Sequence, residues 1–150
     1  MTAKMKIMEI TLNRTIPASP AEVYDAWLDV DNPGTPWHGS SKVIFDPQPK
    51  VDGMFYFNKV SKEGENWAHF GRFTELARGA RLQYTWMSPF TRGLESVVTV
   101  EFQKKGADTL LQLRHANLPD DDFGRLHDGG WNQLVGVLAE RLTASARRTS

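Results

Sequence analysis

Leu126-His127-Asp128-Gly129-Gly130-Trp131-Asn132-Gln133-Leu134-Val135-Gly136-Val137-Leu138-Ala139-Glu140-Arg141-Leu142 is the stretch that decides the fold. Leu126, Gly130, Trp131, Leu134, Leu138 and Leu142, with Val135 beside them, recur at steps of three and four, the spacing of one face of an α-helix. Upstream, Leu118-Pro119 followed by Asp120, Asp121 and Asp122 sets carboxylates where the positive end of a helix dipole favours them. A long amphipathic helix is predicted from these acids to about Ser145. Its apolar stripe needs a partner surface.

Working outward, that surface is a run of strands. Met8–Ile16 alternates apolar and polar residues until its last step, the period of a strand with one buried face. Pro17-Ala18-Ser19-Pro20-Ala21-Glu22 then supplies an N-cap serine, a proline at the first helical position and a glutamate three residues after the cap. This predicts a short helix of about ten residues, with Val23, Tyr24, Trp27 and Leu28 as its stripe. Six segments rich in β-branched and aromatic residues follow: Lys42–Asp46, Met54–Val60, Trp67–Leu76, Arg81–Met87, Glu95–Lys104 and Thr109–Asn117. The links between them, such as Pro47-Gln48-Pro49 with Asp52-Gly53, Ala77-Arg78-Gly79-Ala80 and Lys105-Gly106-Ala107-Asp108, are hairpin-sized. Short links favour antiparallel pairing, since parallel neighbours need a long crossover. The expectation is an α+β helix-grip fold: a curved antiparallel sheet of six to seven strands wrapped around the C-terminal helix, with the short helix after the first strand.

The chain has 150 residues, one ordinary domain's length, and residues 1–150 are expected to fold as one unit. Eighteen basic residues balance eighteen acidic ones, so no net field draws in nucleic acid or an anionic membrane. The absence of cysteine removes disulfides, thiolate nucleophiles and Cys-containing metal sites, which fits a reducing compartment. Met1–Met8 carries two lysines but no apolar leader core, and no stretch approaches the eighteen apolar residues of a membrane span. A cytoplasmic protein is expected.

Ile16-Pro17-Ala18-Ser19-Pro20-Ala21-Glu22-Val23-Tyr24-Asp25-Ala26-Trp27, Ser96-Val97-Val98-Thr99-Val100-Glu101-Phe102, and His115-Ala116-Asn117-Leu118-Pro119 with Gly130-Trp131 resemble the START-like (SRPBCC) superfamily. Within it they are most similar to the branch of homologues of the heat-shock-protein-90 ATPase activator, often labelled polyketide-cyclase-like in bacteria. The likeness runs from about Met8 to Leu142. It implies the helix-grip fold and an apolar cavity between sheet and helix, but no particular chemistry, because one fold hosts many functions. Asp31-Asn32-Pro33-Gly34-Thr35-Pro36-Trp37 departs from the Trp-Phe-type segment of many relatives, which implies a remodelled cavity mouth.

Alternation assigns the cavity wall. Leu82, Tyr84 and Trp86, then Val98, Val100 and Phe102, then Leu111, Leu113 and His115 point inward. On the two strands before them the register stays open: Phe55 and Phe57 compete with Met54 and Tyr56, and Phe70 competes with Trp67, His69 and Phe73. The expected ligand-binding set is Phe55, Phe57, Trp67, His69, Tyr84, Trp86, Val98, Val100, Leu113 and His115 from the sheet, and His127, Trp131, Leu134 and Val135 from the helix. Large rings with a few polar tips suit a small hydrophobic or aromatic ligand. The same residues also suit a solid core.

Other chemistries find less support. The four histidines lack the spacing that sets two ligands on one helix face, so no metal is expected, and nothing calls for a cofactor. Without a nucleophile elbow or a cysteine, nucleophilic catalysis is not expected. Acid–base catalysis of the polyketide-cyclase type stays open through His115, Tyr84 and either Arg72 or Glu75, against the simpler reading of a buried hydrogen-bonded histidine. The expected protein is thus a binder rather than an enzyme, with a chaperone-interaction module as the alternative that the resemblance implies. The oligomeric state stays open, with Lys42–Asp46 or the first strand as the edge through which a homodimer could pair. Lys59, Lys62, Glu63 and Glu65 read as a solvated turn, and Arg141–Arg148 as a frayed helix end. Gly129-Gly130, costly inside a helix, either lets the helix backbone approach the sheet or leaves room at a cavity mouth.

Overall fold

A computed structural model describes residues 6–40, 42–45 and 49–149. Seven strands form one antiparallel sheet in the order β1-β7-β6-β5-β4-β3-β2, with the first and last strands paired. They are β1 Ile7–Ile16, β2 Lys42–Phe45, β3 Met54–Val60, β4 Asn66–Ala77, β5 Arg81–Trp86, β6 Ser96–Lys105 and β7 Asp108–Pro119. Two α-helices complete it, α1 Pro20–Trp27 and α2 Asp122–Thr149. The helix-grip expectation holds.

The local signals act as their chemistry dictates. Ser19 Oγ accepts from the Glu22 backbone N–H at 3.3 Å, and the Glu22 carboxylate reaches back to the Ser19 N–H at 3.4 Å, so the capping box starts α1. The helix is eight residues, shorter than expected, because the Asp29 N–H turns back to the Ala26 carbonyl at 3.3 Å and closes the last turn. On α2, Asp121 Oδ1 accepts from the Gly124 N–H at 3.1 Å and caps the first turn, with Arg92 ion-paired to the same carboxylate. The link after β5 is a short 3₁₀ helix, Pro89–Thr91, not a plain hairpin.

Boundaries move by one or two residues elsewhere. β4 and β7 are longer than predicted, β5 ends at Trp86, β6 starts at Ser96, and Asp46, Pro47, Gln48 and Ser150 lie outside the described residues. The open registers close in favour of Phe55 and Phe57, which are buried while Met54 is exposed. On β4, His69 and Phe73 face inward and Phe70 outward, and a bulge between Phe73 and Glu75 re-aims the strand beyond. α2 keeps helical geometry to Thr149 where fraying was expected, and Arg141, at the start of that segment, donates to the Pro33 carbonyl at 2.8 Å.

The core is one aromatic cluster. Trp37, from the loop after α1, sits among Phe55, Phe57, Phe73 and Tyr84 with centroid distances of 5.3–6.3 Å, and its indole donates to the Trp27 carbonyl at 2.8 Å. Each such ring pair adds about 0.5–1.5 kcal/mol beyond area burial. Gly34 makes the close approach to α2. Its φ is +85°, and a Cβ there would lie 2.6 Å from the Leu138 backbone. Within the same cluster Trp27 stacks on Trp131 at 6.0 Å, and past Trp131 the packing opens.

Candidate ligand-binding site

A cavity of about 390 Å³ opens between the β3–β4–β5 end of the sheet and the N-terminal half of α2. Alternation on β3 and β4 turns Phe57 and Lys59, then Trp67 and His69, into it, and β5 adds Trp86. Leu126, His127, Gly130, Trp131 and Leu134 form the helical wall. Phe90 from the 3₁₀ turn and Pro36 from the loop after α1 close the ends. The size lies within the range of about 300–1,000 Å³ usual for small-molecule pockets, and the lining is mostly ring and hydrocarbon.

Its polar groups are few and fixed. Stacked on Phe57 at 4.5 Å and nearly parallel to it, His69 has its Nδ1 2.9 Å from the Trp67 carbonyl, so Nδ1 carries the proton. His127 Nδ1 lies 3.1 Å and 3.2 Å from the Phe123 and Gly124 carbonyls, which fixes the same tautomer. Burial lowers the pKa of His69 to about 4, opposed by its backbone bond, and burial likewise lowers His127. Both are neutral near pH 7. Lys59 holds its ammonium 5.7 Å from the Phe57 ring centre, and burial lowers its pKa too.

Behind this wall runs a hydrogen-bond chain. An indole N–H can only donate, so Trp131 Nε1–H gives its proton to His115 Nδ1 at 2.9 Å. His115 must then carry its proton on Nε2, 2.8 Å from Ser96 Oγ, and the Ser96 hydroxyl bonds the Trp86 carbonyl. The chain ties α2, β7, β6 and β5 together behind the two ring walls, Trp86 and Trp131. Burial holds His115 neutral, well below its ordinary pKa, with His127 adding to the effect.

A model of the family described as "Activator of Hsp90 ATPase homolog 1-like protein" matches residues 17–143. The chain belongs to this family. Among solved structures, protein CV1439 from Chromobacterium violaceum is 25% identical, covers 89% of this chain and 96% of its own, and superposes with a TM-score of 0.75. Mll3558 from Rhizobium loti is 21% identical over 93% of this chain and 100% of its own, TM-score 0.72. PFC0360w, an Hsp90 activator from Plasmodium falciparum, is 24% identical over 84% and 89%, TM-score 0.63. No functionally curated protein matches the chain.

In this family member the structure divides the sequence-derived site set. Phe57, Trp67, His69, Trp86, His127, Trp131 and Leu134 border the cavity. Phe55, Tyr84, Val98, Val100, Leu113, His115 and Val135 do not, because they fill the interior beside and behind it. Pro36, Lys59, Phe90, Leu126 and Gly130 complete the lining and were absent from that set. Lys59 corrects the solvated-turn reading: it shares the inner face of β3 with Phe57 and Phe55, two and four residues away, a signal the alternation carried. Leu126 is 59% exposed and forms rim rather than core stripe. The acid–base set does not assemble either, since Glu75 pairs with Arg81 at 2.8 Å, Arg72 is exposed, and both His115 nitrogens are engaged.

Gly130 resolves the glycine question. A Cβ at Gly129 or Gly130 would meet nothing within 4 Å, so the pair does not serve close helix–sheet packing; the close backbone approach to α2 is that of Gly34, from the loop after α1. Among the described residues no helix is long and apolar enough to cross a membrane.

Proposed function

We propose that this protein binds a small hydrophobic or aromatic molecule between its sheet and its C-terminal helix. The observation that carries the reading is the open cavity at Trp86 and Trp131, walled by rings from the sheet and from α2. Apolar walls supply affinity through burial, at about 25 cal/mol per Å² removed from water, and the few polar tips supply orientation. Thermal shift against lipids, flavonoids and polyketide-like aromatics tests it, because a ligand that binds only the folded state raises apparent stability by mass action. Binders should raise the melting temperature, and filling the cavity with Gly130→Trp should remove the effect. A broad panel that leaves the melting temperature unmoved would sink the proposal.

A second reading, assistance to a chaperone, draws on the family description and the Plasmodium falciparum neighbour. Co-purification with the cognate chaperone and a stimulated ATPase rate would support it; neither effect appearing would dismiss it. The sheet edges β1 and β2 are where a second copy would pair, which sedimentation checks.

A further inference from the structure

We infer that the ligand is an apolar carboxylic acid, bound with its hydrocarbon against Trp86 and Trp131 and its carboxylate at Lys59; this rests on the cavity reading above. The argument is one of charge. The ionisable groups of the cavity wall are Lys59, His69 and His127, all bases, and no Asp or Glu is among them. Lys59 is half-buried, and among the described residues no carboxylate lies within 4.0 Å of its ammonium, whose recorded contact is the face of Phe57. A partly desolvated ammonium costs free energy unless an anion compensates it. The wall of this protein leaves that anion to come from outside.

The two histidines, neutral near pH 7, set no negative charge against the same occupant. Backbone carbonyls hold their Nδ1 protons, so each keeps Nε2 for a further partner, and His69 is close enough to Lys59 and His127 for both to lower its pKa. A carboxylate among the three offsets what Lys59 and His127 contribute, while burial, the largest cause of the shift, keeps His69 neutral, so the pairing charge is the Lys59 ammonium. Glu65, which accepts from the Trp67 indole at 3.4 Å, is exposed on the β3–β4 turn and does not line the cavity. Compensation therefore falls to the ligand.

Calorimetric titration near neutral pH with naphthoic acid and octanoic acid, each beside its methyl ester, tests this. At least one acid should bind about tenfold or more tightly than its ester, a preference that Lys59→Met removes and Lys59→Arg keeps. Equal binding of acid and ester, or a preference that survives Lys59→Met, overturns the assignment and leaves the cavity reading standing. Failure of all four compounds to bind overturns the assignment, and the cavity reading falls with it when the broad panel also leaves the melting temperature unmoved.

Discussion

Gly130→Ala separates the accounts of α2 most cleanly. In a helix interior the change from glycine to alanine is worth about 1 kcal/mol in propensity. A new Cβ at this position finds no heavy atom within 4 Å, so no packing penalty offsets the gain. For a chain of 150 residues, about 1 kcal/mol corresponds to a rise in melting temperature of about 2–4 °C. The methyl group also stands on the cavity wall, so uptake of a bound aromatic acid should slow. Gly71→Ala is the built-in contrast. Its Cβ would lie 2.0 Å from the Thr85 carbonyl oxygen and 2.8 Å from the Phe55 ring, and backbone cannot yield as a flexible side chain does. A cost of about 3 kcal/mol or more is expected there, a fall of about 6 °C or more. Scanning calorimetry of both variants gives the comparison. A lower melting temperature for Gly130→Ala would refute the open-wall geometry and restore tight packing as the reason for the glycine.

Stability should also fall as pH drops from about 7.5 to about 5. His69, His115 and His127 all have folded pKa values below the ordinary histidine value, so the unfolded chain binds more protons in this window and stability rises with pH; His69 alone, lowered to about 4, contributes about 2 kcal/mol by pH 5. Urea midpoints across this range check it, and a flat profile would contradict the burial of the three rings. Tyr84→Phe should hold or raise stability, because the Tyr84 hydroxyl is buried without an ordinary hydrogen bond, facing an equally unpaired Trp27 indole. A loss above about 1 kcal/mol, the size of a net hydrogen bond, would show a partner there. Asp121→Ala should cost about 1 kcal/mol by uncapping α2, read as a melting shift of about 2–4 °C that Asp121→Asn largely avoids.

The architecture was legible because periodicity reports burial. The stripe Trp131, Leu134, Val135 and Leu138, and the alternation on β5, β6 and β7, follow from one-sided burial and need no partner to be identified. The hollow was not legible, because a ring lining a cavity and a ring filling a core obey the same alternation. Tyr84 and Trp86 sit two residues apart on one face of β5, yet only Trp86 borders open space. What divides them is Trp37, whose ring arrives from an irregular loop and fills the space over Tyr84, and no period governs where such a loop delivers its side chain. Lys59 was readable and was passed over, since charge beside a turn suggested solvent while its strand position pointed inward. Gly129 and Gly130 stayed undecided in the sequence for a related reason. Composition announces that a glycine is costly, but only the neighbouring atoms show whether it admits a backbone or borders a void.

The central claim is that a ligand enters at Trp86 and Trp131 and not elsewhere. Nitrogen-15 labelling of the five indoles, followed by titration with naphthoic acid, tests it directly, because each tryptophan reports one region of the interior. The indole signals of Trp67, Trp86 and Trp131 should shift with a common affinity, and that of Trp37, packed among Phe55, Phe57, Phe73 and Tyr84, should stay in place. Saturating ligand that leaves Trp67, Trp86 and Trp131 unmoved, or that moves Trp37 alone, would contradict the account.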